Sequence, residues 1–325
     1  MTPDCERLIQ QLKSMADPTR LRLLALCRQG ECSVSELTRV IGQSQPRISQ
    51  QLKQLCDAGL LRRFRDGKRV FYRVPEARHA SPMSRQLLDL VPDHDPTFES
   101  DWNLLMQGRG DRVRNLGSDR EDTEAMRALH RAILDLTVTA PIGDLLDVGC
   151  GRGTILKLLA SRANRAVGVD IDANARQLAR AELMLAGIPN CSLRKGDMYR
   201  LPFADDEFST IIIDDVLVDA RKPVRALEEA RRLLRPGGRL FVLESMLKRT
   251  SRDIQESLAD WSRQAGLRLA PVRLVPRRTP VWLVSVATTA DEVAAACVNP
   301  SIRSMCLSSF FRQVQTPWRR RCGVP

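Results

Sequence analysis

The amino-acid sequence predicts an α/β protein with two folded parts, a small N-terminal one and a larger C-terminal one. In the second half, apolar strands alternate with helical segments from Leu145 to Thr288, an order typical of a parallel sheet with helices on both faces. The first of these strands ends in Gly149, Gly151 and Gly153, which mark a tight turn into a helix. In the first 78 residues, helical patterns precede two short strands. A length of 325 residues is sufficient for two domains.

Composition narrows the class of protein without choosing a function. Lys and Arg number 51 against 39 Asp and Glu, giving a formal net charge of +12. This excess suits a nucleic-acid partner, but an ordinary basic enzyme has it too. No apolar run has bilayer-spanning length and the N-terminus has no hydrophobic signal core, so we expect a cytoplasmic protein without a membrane partner. Nine cysteines without CxxC pairs predict reduced thiols.

Capping residues mark the N-terminal helices. Asp17 can cap the second helix, and Ser33 the third, where Glu36 three residues later completes a capping box. Ser44 can cap the fourth helix, which stops at Gly59 because glycine favours the turn that ends a helix. The sequence therefore predicts four helices in close succession.

The fourth helix has an apolar stripe and a polar face. Ile48, Leu52 and Leu55 recur at helical spacing, which leaves amides, hydroxyls and cations on the opposite side. Such a face suits the major groove, since arginine pairs with guanine and glutamine with adenine, although an ordinary solvated helix has the same composition. The DNA contacts predicted on this helix are Ser44, Gln45, Arg47, Ser49, Gln50 and Lys53.

A β-hairpin follows this helix. Two strand patterns flank Asp66 and Gly67, a pair that predicts a tight turn at those two positions. Arg65, Lys68 and Arg69 surround the turn and form a basic tip that can touch phosphate or the minor groove.

The stretch from Leu8 to Val74 resembles the ArsR/SmtB family of winged-helix repressors. The resemblance is carried by MADPTRLRLL, SVSELTRVIG, SQPRISQQLKQLCDAGLL and RRFRDGKRVFYRV. It implies a winged-helix DNA-binding domain over residues 1–78, which binds double-stranded DNA as a homodimer, represses transcription and releases DNA when an effector binds.

The resemblance also raises metal sensing. Many family members carry Cys-Val-Cys-Asp-Leu on the third helix as a thiolate site, whereas the aligned stretch Ser33 to Leu37 reads Ser-Val-Ser-Glu-Leu. Hydroxyls are poor ligands for soft metals, and the three histidines have no metal-ligand spacing. We therefore predict no metal site and an effector that binds elsewhere.

Residues 79–118 are predicted to hold a dimerisation helix and a linker. Ser81 can cap the helix, and the prolines and acids between Val91 and Pro96 indicate the linker. A short helix is predicted over Phe98 to Met106, whose Trp102 and Leu105 either cover a ligand on the larger domain or simply pack on that domain.

The glycine turn is the centre of the C-terminal half. Because glycine has no side chain, a ligand can lie against the backbone of the Gly149–Gly153 turn, beside a helix N-terminus. Taken alone, the pattern fits a turn without a ligand equally well. The second strand, however, ends in Asp170, 17 residues after Gly153, close to the spacing at which a carboxylate meets ribose hydroxyls.

Three further segments agree in order and spacing: Leu193 to Phe203, Phe208 to Leu217, and Leu233 to Leu240. With the glycine turn, this set resembles the class I S-adenosylmethionine-dependent methyltransferases from about Leu134 to Ala290. We therefore expect a Rossmann-like class I methyltransferase domain over residues 119–290.

The resemblance also implies the cofactor, S-adenosyl-L-methionine or S-adenosyl-L-homocysteine, and its contacts. The glycines 149, 151 and 153 would hold the methionine part, and Asp170 would take the ribose. Asp197 with Met198 would meet the adenine, and Asp147 would support the turn and the amino group of the ligand. Asp214 ends the fourth strand at the same edge of the sheet and is included in the predicted cofactor site.

Whether the domain turns over is left open by the sequence. Methyl transfer is an in-line displacement in which alignment supplies much of the barrier reduction, so a catalytic base is not always needed. Where many small-molecule methyltransferases carry Leu-His, this chain has Leu217 and Val218. Asp214 and Asp215 are candidate proton acceptors, or they simply cap the next turn. Two hypotheses follow: a DNA-binding regulator with a nucleoside ligand, or an active small-molecule methyltransferase with a fused regulatory domain.

Beyond Ala290 the alternating pattern fades. Residues 291–325 are predicted to be a disordered basic tail.

Overall fold

A helical N-terminal domain with a three-stranded sheet is followed by an α/β domain with an eight-stranded sheet, as the fold class predicted. The computed structural model describes residues 2–76, 79–115, 124–138, 140–246 and 250–289, so the predicted tail at 291–325 lies outside the described residues. Among the helices within those ranges, none has both the length and the apolar character to cross a membrane.

The N-terminal domain follows the predicted order. Its elements are α1 Pro3–Met15, α2 Pro18–Arg28, β1 Cys32–Ser33, α3 Val34–Ile41, α4 Gln45–Asp57, β2 Arg62–Asp66 and β3 Arg69–Arg73. The side chain of Asp17 accepts a hydrogen bond from the N–H of Arg20, and Ser33 with Glu36 forms the predicted capping box. Ser44 precedes α4 but makes no side-chain capping hydrogen bond.

The β-hairpin of this domain turns one residue later than predicted. β2 extends through Asp66 and pairs it with Arg69, so the two turn residues are Gly67 and Lys68 rather than Asp66 and Gly67. Gly67 has φ of +61°, a left-handed conformation that glycine adopts at little cost. Asp66 is therefore the last residue of β2, and its side chain is buried rather than exposed at the tip of the hairpin.

A long helix connects the two domains. α5 spans Pro82–Asp89, and α6 spans Pro96–Asn115, so the predicted short helix is in fact 20 residues long. Leu105 is fully buried and Trp102 is partly buried in a core that combines the N-terminal domain with Met184 of the second domain. α6 extends through two glycines because it packs against α2, α3 and a helix of the second domain, and tertiary packing outweighs helix propensity.

The C-terminal domain alternates strands and helices. Its elements are α7 Glu124–Thr137, β4 Gly143–Val148, α8 Thr154–Leu159, β5 Ala163–Asp170, α9 Ala173–Leu185, β6 Cys191–Lys195, β7 Phe208–Asp214, α10 Pro223–Leu233, β8 Leu234–Ser245, α11 Ser251–Gln264, β9 Leu267–Leu269, β10 Arg273–Val275 and β11 Trp282–Thr289. The two short strands β9 and β10 are additions to the sequence prediction.

The strand order of this sheet is β10-β11-β8-β7-β4-β5-β6, with β9 beside β11. β4 to β8 are parallel, and β11 runs antiparallel to β8. Successive side chains of β4 pack on opposite faces of the sheet. Leu146 and Val148 pack with α10 and α11 on one face, whereas Leu145 packs with α7 and α8 on the other. The chain leaves β4 towards β5 on one side and returns to β7 on the other. The strand order therefore reverses at the carboxyl end of β4, and open α/β sheets bind ligands in a crevice at such a point.

Candidate functional site

The glycine turn lies at this crevice and depends on glycine at each position. Gly149, Gly151 and Gly153 have φ of +80°, +49° and +77°. A Cβ atom on Gly149 would lie 2.6 Å from Cγ1 of Val216, a separation that real Cβ atoms do not reach. A Cβ on Gly151 would meet only the carbonyl oxygen of Gly149, at 3.9 Å, so the turn leaves an open cradle there.

Asp170, at the end of β5, is tied directly to the glycine turn. Its Oδ2 accepts a hydrogen bond from the N–H of Gly151 at 2.8 Å, and its Oδ1 accepts one from Asp172 at 2.8 Å. The carbonyl oxygen of Asp170 also accepts from the N–H of Gly196, the residue before Asp197. The backbone thereby brings the predicted ribose and adenine residues to one side of the turn.

Asp197 and Met198 follow β6. Asp197 is exposed, and its Oδ1 accepts from the N–H of Tyr199 at 3.1 Å. Met198 is half-buried and packs against the core on the α10 side of the sheet. One carboxylate and one apolar side chain thus lie beside each other next to Asp170.

Asp147 is the most unusual group of the site. It is 0% exposed, and among the described residues neither of its carboxylate oxygens has a hydrogen-bond partner. Burial, followed by the nearby charges of Asp214 and Asp170, raises the pKa of Asp147 well above its ordinary value. A buried carboxylate without a donor is costly, and a cationic group in the crevice would remove that cost.

Two more carboxylates at this edge have raised pKa values. Burial, together with the charges of Asp215 and Asp170, raises the pKa of Asp214 to about 7. Burial also raises the pKa of Glu244 to about 7, although the N–H of Leu217 donates to its Oε1 at 2.8 Å. Glu244 was not among the residues predicted from the sequence, although its position near the end of an apolar strand was the available signal.

Asp215 has a structural role in this arrangement. It adopts φ of +53°, and its Oδ1 accepts from the N–H of Ser245 at 2.8 Å. Its own N–H donates to the carbonyl oxygen of Leu243. Of the two predicted proton acceptors, Asp215 is therefore tied to the β8 backbone through one carboxylate oxygen, while the charges of Asp215 and Asp170 act on Asp214.

The predicted DNA-binding residues form an accessible face of the N-terminal domain. Ile48, Leu52 and Leu55 of α4 are fully buried, as their spacing predicted. Ser49 is half-buried, and the other predicted contacts are exposed: Ser44, Gln45, Arg47, Gln50, Lys53, Arg65, Lys68 and Arg69. The polar face of α4 and the hairpin tip are both free to meet a partner.

The stretch Ser33 to Leu37, which aligns with the thiolate motif of the metal-sensing family members, has a structural role in this protein. Ser33 and Glu36 form the capping box of α3, and Glu36 is buried against Arg109 of α6. No group of three or more His, Cys, Asp or Glu suited to a metal ion occurs within the described ranges.

Comparison with known proteins assigns a family to each half. Residues 17–63 match the profile of the bacterial regulatory proteins of the arsR family, and residues 146–242 match that of a methyltransferase domain. A biofilm growth-associated repressor of Xylella fastidiosa is 44% identical over 69 residues, which cover 21% of this chain and 60% of the relative. The demethylmenaquinone methyltransferase of Renibacterium salmoninarum is 30% identical over 162 residues, 50% of this chain and 63% of the relative.

These matches are partial. The curated relatives are matched over 36% to 63% of their own lengths. The crystal structure of the N-methyltransferase NodS from Bradyrhizobium japonicum matches 57% of this chain and 98% of its own chain, at 18% identity and a TM-score of 0.46. The chain therefore contains an arsR-family helix-turn-helix domain over residues 17–63 and a methyltransferase domain over residues 146–242.

Proposed function

We propose that the protein is a DNA-binding transcription regulator, an ArsR-type repressor, whose C-terminal domain binds S-adenosylmethionine or S-adenosylhomocysteine. Binding of this nucleoside changes the affinity for DNA. The observation that carries the proposal is the buried, unpartnered carboxylate of Asp147 beside an open glycine cradle.

The DNA half of the proposal depends on α4 and the wing, the hairpin of β2 and β3. The N-terminal end of α4 enters the major groove, where Arg47 reads a guanine edge. Arg65, Lys68 and Arg69 touch phosphates or the minor groove beside it. All four side chains are exposed in the absence of DNA.

The nucleoside half depends on the carboxyl ends of β4, β5 and β6. Asp147 would meet the ammonium group of the ligand, and the glycine turn would lie along its methionine part. Asp170 would accept ribose hydroxyls; its two hydrogen bonds leave lone pairs free, since a carboxylate has about four acceptor sites. Asp197 and Met198 would hold the adenine. When bound, S-adenosylmethionine supplies a methyl group on a sulfonium.

Two binding measurements test this proposal. Calorimetry with each nucleoside reports ligand binding, and fluorescence anisotropy with a duplex selected by this protein from a random library reports DNA binding. We expect micromolar or tighter nucleoside binding and a DNA affinity that shifts when the nucleoside is added at fixed salt. Absence of heat with both nucleosides, or DNA affinities unchanged by saturating ligand, would contradict the proposal.

A second candidate function is methyl transfer to a small molecule. The observation in its favour is that Asp214 and Glu244 have pKa values near 7, so either can accept a proton at neutral pH. In that reaction the acceptor's lone pair forms the bond to the methyl carbon, the carbon–sulfur bond breaks to leave a neutral thioether, and the acceptor proton passes to the carboxylate. A labelled-methyl assay tests it, with Glu244→Gln as the variant expected to lose turnover but retain nucleoside binding.

We also propose that the DNA-binding form is a homodimer. α1 and α5 lie side by side, since Gln11 Nε2 donates to Ser84 Oγ at 2.8 Å. Ile9 and Leu12 on α1 and Leu90 after α5 are exposed apolar side chains, 37%, 48% and 72% accessible. Light scattering of the wild type and of Leu12→Glu tests this: we expect a dimer and a monomer, and a monomeric wild type would contradict it.

A further inference from the structure

The wing is docked onto the methyltransferase domain by a buried cluster of charges. Asp66 Oδ1 lies 2.6 Å from Arg176 Nη2, and its Oδ2 lies 2.6 Å from Arg180 Nη1. The three side chains are 3%, 1% and 4% exposed. Removing one partner from such a cluster would leave a buried charge uncompensated, so the contact holds the wing in one place.

Aromatic contacts add to this docking. Phe64 of β2 stacks on Phe71 of β3, with ring centroids 5.7 Å apart. The guanidinium of Arg194 lies 3.7 Å from the centroid of Phe64, and that of Arg180 lies 4.1 Å from the centroid of Phe71. Cation–π contact therefore fixes the face of the wing that is directed at α9 and β6.

The same arginine that holds the wing also holds the candidate nucleoside site. Arg176 lies in the first turn of α9, and its Nη1 donates to the carbonyl oxygen of Asp170 at 2.8 Å. Asp170 in turn binds the N–H of Gly151 through its carboxylate. Asp66, Arg176, Asp170 and Gly151 therefore form one continuous chain of polar contacts between the two predicted binding regions.

We propose that the Asp66–Arg176 ion pair transmits nucleoside binding to the wing and thereby sets the DNA affinity of the protein. This inference depends on the function proposed above and names its regulatory element. A ligand that engages Asp170 and the glycine turn changes the position of the Arg176 guanidinium. Because Asp66 lies between the exposed cations Arg65 and Lys68, its displacement moves the charges directed at DNA phosphate.

Thermodynamic linkage defines what must be measured. A ligand shifts DNA affinity only to the extent that it binds the two wing positions unequally, and couplings of this kind are roughly 5- to 150-fold. The readout is therefore the ratio of DNA dissociation constants without and with saturating S-adenosylhomocysteine. The absolute affinity is not informative, since removing an acid from the wing alters DNA affinity by charge alone.

The test compares Asp66→Asn with a matched control, Asp101→Asn. Asp101 is also 3% exposed and also pairs with an arginine, Arg22 at 2.6 Å, but it joins α6 to α2 within the N-terminal half. We expect the ratio to fall within about twofold of unity in Asp66→Asn, while Asp101→Asn keeps the wild-type ratio of at least about fivefold. Calorimetry is expected to show that both variants still bind S-adenosylhomocysteine.

Other outcomes separate the two proposals. An Asp66→Asn protein that keeps the wild-type ratio overturns the inference, and so does a collapse of the ratio in both variants. Wild-type protein that binds the nucleoside without any change in DNA affinity overturns both the inference and the proposed regulatory effect of the nucleoside, although ligand binding stands. No nucleoside binding by the wild type overturns the proposed function itself.

A replacement variant is used if Asp66→Asn does not fold, and a measurement without DNA is used if no duplex is selected from the library. If circular dichroism shows that Asp66→Asn is unfolded, Arg176→Lys takes its place at S-adenosylhomocysteine concentrations that saturate it, with the same expectation for the ratio of DNA dissociation constants, because lysine keeps the charge but lacks the planar fork. Hydrogen exchange of the Arg62–Arg73 amides needs no DNA: S-adenosylhomocysteine should change exchange there in the wild type and leave it unchanged in the variant. Unchanged exchange in the wild type, with ligand bound, overturns the inference.

Discussion

Arg109 of α6 holds Glu36 of α3 in a buried fork, with Nε 3.0 Å from Oε1 and Nη2 3.2 Å from Oε2. The same guanidinium donates to the carbonyl oxygens of Glu31, at 2.7 Å, and Arg180, at 3.3 Å. One side chain thus connects the linking helix, the N-terminal domain and α9. Its removal tests how much of the stability of the protein resides where the domains meet.

Arg109→Gln is expected to lower the free energy of unfolding by about 3–5 kcal/mol, since it leaves Glu36 buried without its cation. Urea unfolding followed by circular dichroism measures the loss. The control is Arg252→Gln, which breaks an exposed pair with Glu256 and should cost less than about 1 kcal/mol. Equal losses in the two variants would contradict this account.

Glu36 also predicts a pH dependence of stability. Burial favours a higher pKa, but the charge of Arg109 and the hydrogen bonds from Ser33 outweigh it and lower the pKa of Glu36 to about 2. The folded pKa lies below the unfolded value of about 4.3, so the stabilisation is complete above that value and is lost as pH falls towards 2. The melting temperatures of the wild type and Glu36→Gln should therefore converge between pH 4 and pH 2, measured by differential scanning calorimetry.

Asp147→Asn should have opposite effects on stability and on ligand binding, because it removes a buried charge that the ligand needs. The folded pKa of Asp147 is raised above the unfolded one, so its cost to folding is absent below the unfolded pKa of about 3.9 and grows as pH rises above it. At pH near 7 the variant should melt higher than the wild type yet bind S-adenosylmethionine roughly 10- to 150-fold more weakly, as expected for a lost hydrogen bond to a charged group.

Asp144→Asn is the control for this change, because Asp144 lies at the other end of β4 and pairs with Arg235 at 2.9 Å. Calorimetry should find its nucleoside affinity unchanged. A drop in both melting temperature and affinity for Asp147→Asn would indicate a damaged fold rather than a lost ligand contact.

Gly149→Ala and Gly187→Ala distinguish a steric clash from backbone strain. Both glycines have positive φ, +80° and +67°, but only at Gly149 would a Cβ meet close neighbours; at Gly187 nothing lies within 4 Å. Gly187→Ala should cost about 1–2 kcal/mol from its left-handed conformation. Gly149→Ala should cost more and weaken nucleoside binding; equal losses in thermal unfolding would show that the turn yields to the extra atom.

Arg47→Ala and Lys68→Ala separate base reading from phosphate contact. If Arg47 reads a guanine, its removal should cost about 1–3 kcal/mol on the selected duplex and much less on a scrambled one. Lys68→Ala should weaken binding to both duplexes equally and reduce the salt dependence by about one charge. Anisotropy titrations over several salt concentrations report both effects, and equal weakening by Arg47→Ala on the two duplexes would make Arg47 a phosphate contact.

Local signals in the sequence determined much of this protein. The capping box of Ser33 and Glu36, the apolar stripe of α4 and the strand-to-helix turn through Gly149 each depend on residues a few positions apart. Such interactions form within one element, so composition and spacing are sufficient to predict them. The alternation of strands and helices along the chain follows from the same periodic patterns.

Contacts between distant residues decided the rest. The wing turns at Gly67 and Lys68, and not at the predicted Asp66 and Gly67, because Asp66 is buried against Arg176, 110 residues away along the chain. α6 is one long helix that packs into the N-terminal domain, and Glu244 lies with the carboxylates of the crevice only through the pairing of β7 with β8. A charged side chain is paired by whichever opposite charge the fold brings within reach, and sequence spacing alone does not contain that information.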